Sequence, residues 1–254
     1  MKLKDNEMTN RVSPVESAYN ARKTAIQIGF WIAILTAVFT AVAFVIAIAT
    51  PPISGPFCQS GCIAYPYTNV VSHVPHDYIW LYPAIFIAPL FLILAVCIHY
   101  YAPSGKKIFG QIGLSFAVIY AAVVTTDYYI QLTVIQPSLL RGEKDGLALF
   151  LQYNPHGIFI ALEDLGYLMM SIAFFFVARI FLGDERIERV LRWLFTTGSL
   201  LAIGLYIVLS AIYGNNLEYR FEVMIITINW MVLIVAGISL SILFKRTLQQ
   251  TASV

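Results

Sequence analysis

Long apolar stretches alternate with short polar segments along the whole chain. Six of the apolar stretches approach or exceed the roughly 20 residues that a helix needs to cross the hydrocarbon core of a bilayer. They occupy about residues 25–50, 79–101, 109–135, 157–181, 193–213 and 222–244. The first is too long for a signal-peptide core and shows no small-residue cleavage pattern after it, so we expect it to remain as a span. The pattern predicts an all-α transmembrane bundle of six spans.

Composition supports the same class of protein. Hydrophobic residues make up 59% of the chain and charged residues 12%, against about 45–50% and 25% in soluble domains. The formal net charge of +2 is too small to indicate a nucleic-acid partner, so the predicted partner is the lipid bilayer. No convincing internal repeat is visible.

The basic residues predict the orientation of the bundle. Of the 16 Lys and Arg residues, 13 fall in segments on one side of the six spans, and such clusters usually stay in the cytoplasm. They are Lys2, Lys4, Arg11, Arg22, Lys23, Lys106, Lys107, Arg179, Arg186, Arg189, Arg192, Lys245 and Arg246. We therefore expect a multi-pass protein of the cell membrane with both termini cytoplasmic.

The chain then divides into three parts. Residues 1–24 form a cytoplasmic N-terminal segment, residues 25–246 the six-span domain and residues 247–254 a cytoplasmic tail. The sequence Ser13-Pro14-Val15-Glu16 has the pattern of a capping box with proline at the first helical position. We therefore expect a helix to begin near Pro14 and to run as a stem into the first span.

The first outer connection, residues 51–78, is rich in proline and contains no Lys or Arg. Its prolines and glycines predict irregular structure, and its aromatic residues suggest that it folds back as a lid over the outer mouth of the bundle. Cys58 and Cys62 favour a disulfide; reduced thiols and a redox-active or metal-binding pair are the alternatives. For His73 and His76, which flank Asp77, solvated loop residues are favoured over a surface metal site.

Prolines also mark the spans themselves. Pro83 and Pro89 predict a kink in the second span. We expect the third span to end at Gln136-Pro137, and the fourth to open with Asn154 as its cap and Pro155 as its first helical residue.

The candidate chemistry is acidic. Asp127, Glu163 and Asp164 fall inside predicted spans, where a charge costs about 3 kcal/mol or more and usually faces a protein interior. On each of two spans, helical spacing puts four residues on one face of the helix. These sets are Tyr120, Val124, Asp127 and Gln131 on the third span, and His156, Ile160, Glu163 and Tyr167 on the fourth.

The depths of these residues agree. At about 1.5 Å of rise per residue, Asp127, Glu163 and Asn229 lie roughly 9–12 Å inward from the outer ends of the third, fourth and sixth spans. No Lys or Arg lies at that level. Three arrangements would relieve the cost of burial: protonated acids with hydrogen-bonding neighbours, a bound cation, or a water-filled cavity open to the outside.

These observations predict an outward-facing acidic pocket between the third, fourth and sixth spans. Its candidate ligand-binding residues are Tyr120, Asp127, Gln131, His156, Glu163, Asp164, Tyr167, Tyr206 and Asn229. The sequence names no cofactor, and a single histidine near the acids falls short of a zinc site, so we predict no metal ligands.

Three functions fit this pocket. We favour a membrane protein that binds or transports a small cationic or proton-linked ligand. The first alternative is an integral membrane enzyme that acts on a lipid or lipophilic substrate through carboxylate and histidine acid-base or metal chemistry. The second is an assembly protein whose polar core is structural.

Overall fold

A computed structural model describes residues 13–183 and 185–252 of the chain. Within these ranges it contains six helices long and apolar enough to cross a membrane, and no strand. The predicted all-α fold with six spans is confirmed. The predictions for residues 1–12, for Asp184 and for the last two residues of the tail lie outside the described ranges.

The helices alternate in direction and are joined by connections of very different length. Their bounds are α1 (Pro14–Ala49), α2 (Leu81–Tyr101), α3 (Lys107–Ile130), α4 (Gln136–Arg141), α5 (Ile158–Val177), α6 (Arg186–Tyr213) and α7 (Tyr219–Ala252). The α3 and α4 helices are joined by a π-helical turn, Gln131–Ile135, and together form the third span.

The α1 helix begins where the sequence predicts. Ser13 is its N-cap, and the Ser13 hydroxyl accepts a hydrogen bond from the backbone N–H of Glu16 at 3.1 Å. The helix then runs for 36 residues without a break, or about 54 Å at 1.5 Å per residue. Because the hydrocarbon core is only about 30 Å thick, part of α1 must project from the bilayer as a stem.

The predicted end of the third span is wrong. Pro137 has no N–H to donate, and its ring would collide with a carbonyl one turn earlier in a regular helix. Just before Pro137 the helix forms a π-helical turn. In this turn the N–H of Gln136 bonds to the carbonyl of Gln131, which is five residues earlier instead of four. This wider turn accommodates the proline, and the span continues until Gly142, whose φ of +76° ends the helix.

The predicted cap of the fourth span is also wrong, although the span itself begins close to the predicted residue 157. Gly157 is the N-cap of α5, and Asn154 lies in the turn before it. The Asn154 side chain accepts from the N–H of His156 at 3.0 Å and donates to the carbonyl of Ala148 at 2.8 Å. These local bonds give the backbone an alternative to the helix, so His156 is not on the helical face that carries Glu163.

The two prolines of α2 have different positions in the helix. Pro83 falls in the first turn, where its missing N–H would be unpaired in any case. Pro89 lies inside the helix, so it is the residue that interrupts the backbone hydrogen bonding of the second span.

The six spans form a closed ring. The α1 helix packs against α2 and α7, α3 packs against α2 and α5, and α6 packs against α5 and α7. The α5 helix also contacts α7 across this ring.

Small residues allow the close contacts in this ring. A Cβ added to Gly166 of α5 would collide with Cγ2 of Val124 on α3, and one added to Gly113 of α3 would lie 2.8 Å from Cγ2 of Val177. On the other side of the bundle, Gly237 of α7 approaches α1 so closely that its Cβ would lie 2.6 Å from a backbone carbonyl. The missing side chain of Gly166 therefore permits the close approach of α5 to α3.

We expect Gly166→Ala to lower the stability of the bundle by about 1–3 kcal/mol, the usual cost of overpacking. The methyl group of Val124 cannot move away easily, because a β-branched side chain in a helix has one preferred rotamer. Gly204→Ala is the matched control, since a Cβ at Gly204 meets no atom within 4 Å. Thermal unfolding in detergent should show a lower midpoint for Gly166→Ala only; equal midpoints would contradict this packing.

Candidate functional site

The acids predicted from the sequence come together between α3 and α5. Asp127 is 3% exposed and Glu163 is fully buried, while Asp164 is half-buried. The Asp127 and Asp164 carboxyls both lie close enough to Glu163 to interact with it electrostatically. The structure therefore brings together all three acids that the spacing selected.

A fourth acid, Glu222, completes the cluster. Its carboxyl is within hydrogen-bonding reach of the Glu163 carboxyl and interacts with Asp127 and Asp164. The sequence places Glu222 on the same helical stripe as Asn229, but at the very edge of the predicted sixth span, so it was not among the candidate residues. The α7 helix begins one turn earlier, at Tyr219, and this puts Glu222 inside the span.

The cluster has no basic partner. Within residues 13–183 and 185–252, none of the four carboxyls forms an ion pair. In the same ranges no group of three or more His, Cys, Asp or Glu side chains is arranged to hold a metal ion. One oxygen of each of Asp127, Glu163 and Asp164 is buried without a donor among the described residues. Such orphaned acceptors are rare in proteins, where buried polar atoms are nearly always paired.

Glu163 is held by a directional chain of hydrogen bonds. The Tyr128 hydroxyl donates to Oε1 of Glu163 at 2.6 Å and contacts the Tyr167 hydroxyl at 3.0 Å. Trp230 Nε1 donates to the Tyr167 hydroxyl at 2.9 Å. Because a phenol has one hydrogen and Tyr128 uses it on Glu163, Tyr167 must be the donor to Tyr128. The chain thus runs from Trp230 through both tyrosines and ends on a glutamate oxygen.

The carboxyls of Glu163 and Glu222 are close enough to share a proton. Ionised carboxylates only accept hydrogen bonds, so two carboxyls can be bonded to each other only when one is protonated. Glu163 already serves as acceptor for Tyr128. The arrangement is therefore complete when Glu222 bears the proton and donates it to Glu163.

Asn229 lies two turns deeper than Glu222 on α7. Its amide nitrogen donates to Ser171 Oγ at 3.0 Å and to the carbonyl of Ile225 at 2.8 Å, and lies 3.4 Å from the carbonyl of Tyr167. Asn229 and Ser171 are both fully buried. These bonds tie α7 to α5 and fix the height of Glu222 relative to Glu163.

A cavity of about 420 Å³ adjoins the cluster, a volume within the range of about 300–1,000 Å³ typical of ligand sites. Glu222 lines it, whereas Asp127, Glu163 and Asp164 do not. Six of its lining residues are aromatic: Phe44, Trp80, Tyr153, Phe159, Tyr219 and Trp230. The cavity thus lies against α1 and α7 instead of between the third, fourth and sixth spans, and Glu222 connects it to the buried acids.

The cavity has a roof, formed by residues 50–54 with Asp77, Gln152 and Tyr153. Ser54 Oγ donates to the carbonyl of Tyr153 at 2.5 Å, and the Tyr219 hydroxyl donates to the carbonyl of Gln152 at 3.0 Å. The Ser54 and Tyr219 oxygens are 2.8 Å apart, but each hydroxyl has one hydrogen and uses it on its carbonyl. The two bonds join the first outer connection and the start of α7 to the second outer connection, residues 142–157. They are the contacts that a lid over this end of the bundle requires.

Asp77 anchors the other side of the roof. Its carboxylate lies 3.2 Å from Nδ1 of His73 and 3.0 Å from Nδ1 of His76. Tyr153 donates its hydroxyl to Oδ2 of Asp77 at 3.3 Å. Burial, reinforced by the neighbouring Tyr78 and Asp77, raises the pKa of the Tyr153 phenol well above its usual range. Tyr153 therefore stays protonated and keeps its donor role at any physiological pH.

The first outer connection has the irregular structure that its prolines and glycines predict. Three short 3₁₀ turns, Gly55–Phe57, Val71–His73 and His76–Tyr78, interrupt an otherwise irregular chain. The Sγ atoms of Cys58 and Cys62 lie 2.07 Å apart, at disulfide bonding distance, in agreement with the favoured interpretation of this pair.

The other predicted ligand residues are not all near the cluster. Tyr120 is fully buried against Tyr167, with ring centroids 5.5 Å apart. Gln131 is buried and donates to the carbonyl of Phe150. His156 lies 3.8 Å from Glu218 instead. Tyr206 is 41% exposed and packs on Phe221.

Six helices of this length and hydropathy define a multi-pass membrane protein. The chain matches no protein-family model, no curated protein and no solved structure. Its function is therefore argued from the geometry of the acid cluster and the cavity.

We expect Tyr167→Phe to destabilise the protein by about 1–3 kcal/mol, because it leaves the buried N–H of Trp230 without an acceptor. Tyr206→Phe is the matched control on an exposed tyrosine and should change stability by less than about 0.5 kcal/mol. Chemical unfolding followed by tryptophan fluorescence measures both. Equal effects of the two substitutions would show that the hydrogen-bond chain contributes no stability.

Proposed function

We propose that this protein binds a small organic cation in the aromatic cavity, with Glu222 as its anionic partner, and that binding releases the proton shared by Glu222 and Glu163. The observation that carries the proposal is the position of Glu222. It lines the cavity and contacts a second carboxyl, and none of the four clustered acids has a basic partner among the described residues.

The walls of the cavity support a cationic ligand. Trp80 lies beside Trp230 and Phe159, with ring centroids 6.3 and 6.5 Å apart, and Phe44 meets Trp230 edge to face at 6.0 Å. Aromatic faces attract a cation by about 0.5–2 kcal/mol each, most strongly when the site excludes water. Rings of this kind beside a carboxylate are the usual composition of sites for substituted ammonium groups.

The hydrogen-bond chain supports linkage to protons. When Glu222 loses its proton to make way for a cation, two neighbouring carboxylates remain, and the cation neutralises one of them. Tyr128 continues to donate to the other. A cation and a proton therefore compete for one position, which is the elementary step of a proton-linked transporter as well as of a binding protein.

The distribution of basic residues supports an outward-facing site in a cell membrane. The segments rich in Lys and Arg lie at the end of the bundle opposite the cavity, where Arg22 stacks on Tyr101 at 5.5 Å and Lys106 donates to the carbonyl of Ile180. By the positive-inside rule this end is cytoplasmic. The cavity and both longer connections then face the outside.

The proposal predicts that tetramethylammonium binds more tightly as pH rises. For release of one proton, affinity increases by up to about tenfold per pH unit until Glu222 is fully ionised. Titration calorimetry of the protein in nanodiscs, repeated in buffers of different ionisation enthalpy, counts the released protons directly. We expect close to one proton per bound cation.

Glu222→Gln should abolish proton release and weaken binding by at least about tenfold, since the variant presents neither a negative charge nor an exchangeable carboxyl proton. Glu143→Gln is the control, because Glu143 is an exposed acid in the second outer connection. The proposal fails if tetramethylammonium does not bind the wild type, or if it binds without proton release. If tetramethylammonium does not bind the wild type, the acid cluster has the structural role of holding the helices in their relative positions.

A further inference from the structure

The cavity reaches the lipid-facing surface of the bundle. Ile48 on α1 and Val223 on α7 line the cavity and are also 70% and 42% exposed. Thr227, one turn further along α7, is exposed as well. In a membrane these faces contact acyl chains, so the cavity opens sideways between α1 and α7.

This opening is confined to the ends of the two helices nearest the roof. Deeper in the bundle α1 and α7 are in close contact, because Gly237 brings the α7 backbone against Ala33 and Ala37. The Phe44–Trp230 ring contact closes the gap from below. Beyond that contact, toward the roof, side chains of both helices line the cavity.

The aqueous side of the cavity is more strongly closed than its lipid side. The hydrogen bonds from Ser54 to the carbonyl of Tyr153 and from Tyr219 to the carbonyl of Gln152 join three segments across the roof. No comparable polar contact closes the gap among the described side chains that line it on α1 and α7. The lining residues Ala47, Ile48, Val223 and Ile226 are apolar, and the Thr227 hydroxyl donates to the carbonyl of Val223 on its own helix.

We infer that the ligand is a long-chain ammonium amphiphile that enters from the bilayer between α1 and α7. Its cationic head contacts Glu222 and the aromatic rings, and its alkyl chain leaves through the lateral gap into the lipid. The inference rests on the proposed function, since it assigns a chemical class to the ligand of the same site.

The charge of the cavity wall narrows that class further. The described residues that line it include two acids, Asp77 and Glu222, and no Lys, Arg or His. A phospholipid headgroup with an ammonium group would bring a phosphate that finds no cationic partner there, and an unpaired buried charge is costly. The site therefore fits an amphiphile whose head is an ammonium group without a phosphate.

The test compares tetramethylammonium with octyl- and decyltrimethylammonium on the full-length protein in phosphatidylglycerol nanodiscs. Partitioning into protein-free nanodiscs is measured separately, and the affinity is expressed in free aqueous concentration. Because each methylene kept in the bilayer contributes about 0.8 kcal/mol, the affinity should rise about fourfold per methylene. A flat dependence on chain length would overturn the inference.

Substitutions at the gap test the route. Val223→Trp should lower the ratio of decyl to tetramethyl affinity by at least about tenfold, because the indole fills the gap through which the chain leaves. Val235→Trp is the matched control, since Val235 lies on the same helix with a similar exposure of 38% and does not line the cavity. If Val223→Trp does not assemble, Ile48→Trp is the test on α1, because Ile48 lines the cavity. Val45→Trp is its control, because Val45 has a similar exposure and does not line the cavity.

The outcomes separate the inference from the function on which it rests. Tetramethylammonium binding with proton release, but without a gain from the alkyl chain, overturns the inference and leaves the proposed function standing. Absence of tetramethylammonium binding overturns both. Lysophosphatidylcholine of matched chain length should bind at least about tenfold more weakly than the alkylammonium; equal binding would overturn the exclusion of phosphate-bearing headgroups.

Discussion

The fold of this protein depends on how it accommodates buried carboxyl groups that have no basic partner among the described residues. Glu163 is fully buried and accepts a hydrogen bond from Tyr128 of α3. Tyr128 is bonded in turn to Tyr167, which accepts from Trp230 of α7. This arrangement requires α3, α5 and α7 to stay in one register, because a shift of one turn would separate Tyr128 and Trp230 from their acceptors. The close contact at Gly166 and the Asn229–Ser171 bonds hold that register.

The same constraint links structure to the proposed chemistry. Glu222 lies beside Glu163 and can be hydrogen-bonded to it only when one of the two carboxyls is protonated. Glu222 also lines the cavity with its aromatic residues, where a ligand can reach it. In the proposed function, a cation in the cavity takes the place of the proton that Glu222 shares with Glu163. The roof and the lateral gap between α1 and α7 then determine from which side such a cation reaches Glu222.

Much of this structure is predictable from the sequence, for identifiable reasons. Hydropathy sets the six spans, and helical spacing places Asp127 and Glu163 on the facing sides of α3 and α5. The cap of α5 was missed because Asn154 and Pro155 have the residue types of a helix cap but form a separate turn. Glu222 was missed because a helix end read from hydropathy is uncertain by about one turn. The cavity depends on where α1 diverges from α7, which no local sequence pattern encodes.

The most direct test of this account is infrared difference spectroscopy of the protein with and without tetramethylammonium. The carboxylic C=O stretching band reports a protonated acid, and the carboxylate bands report its ionised form. We predict that one protonated carboxyl becomes a carboxylate when the cation binds, and that this change is missing in Glu222→Gln. A spectrum in which binding leaves the carboxyl bands unchanged would contradict the competition between cation and proton at Glu222.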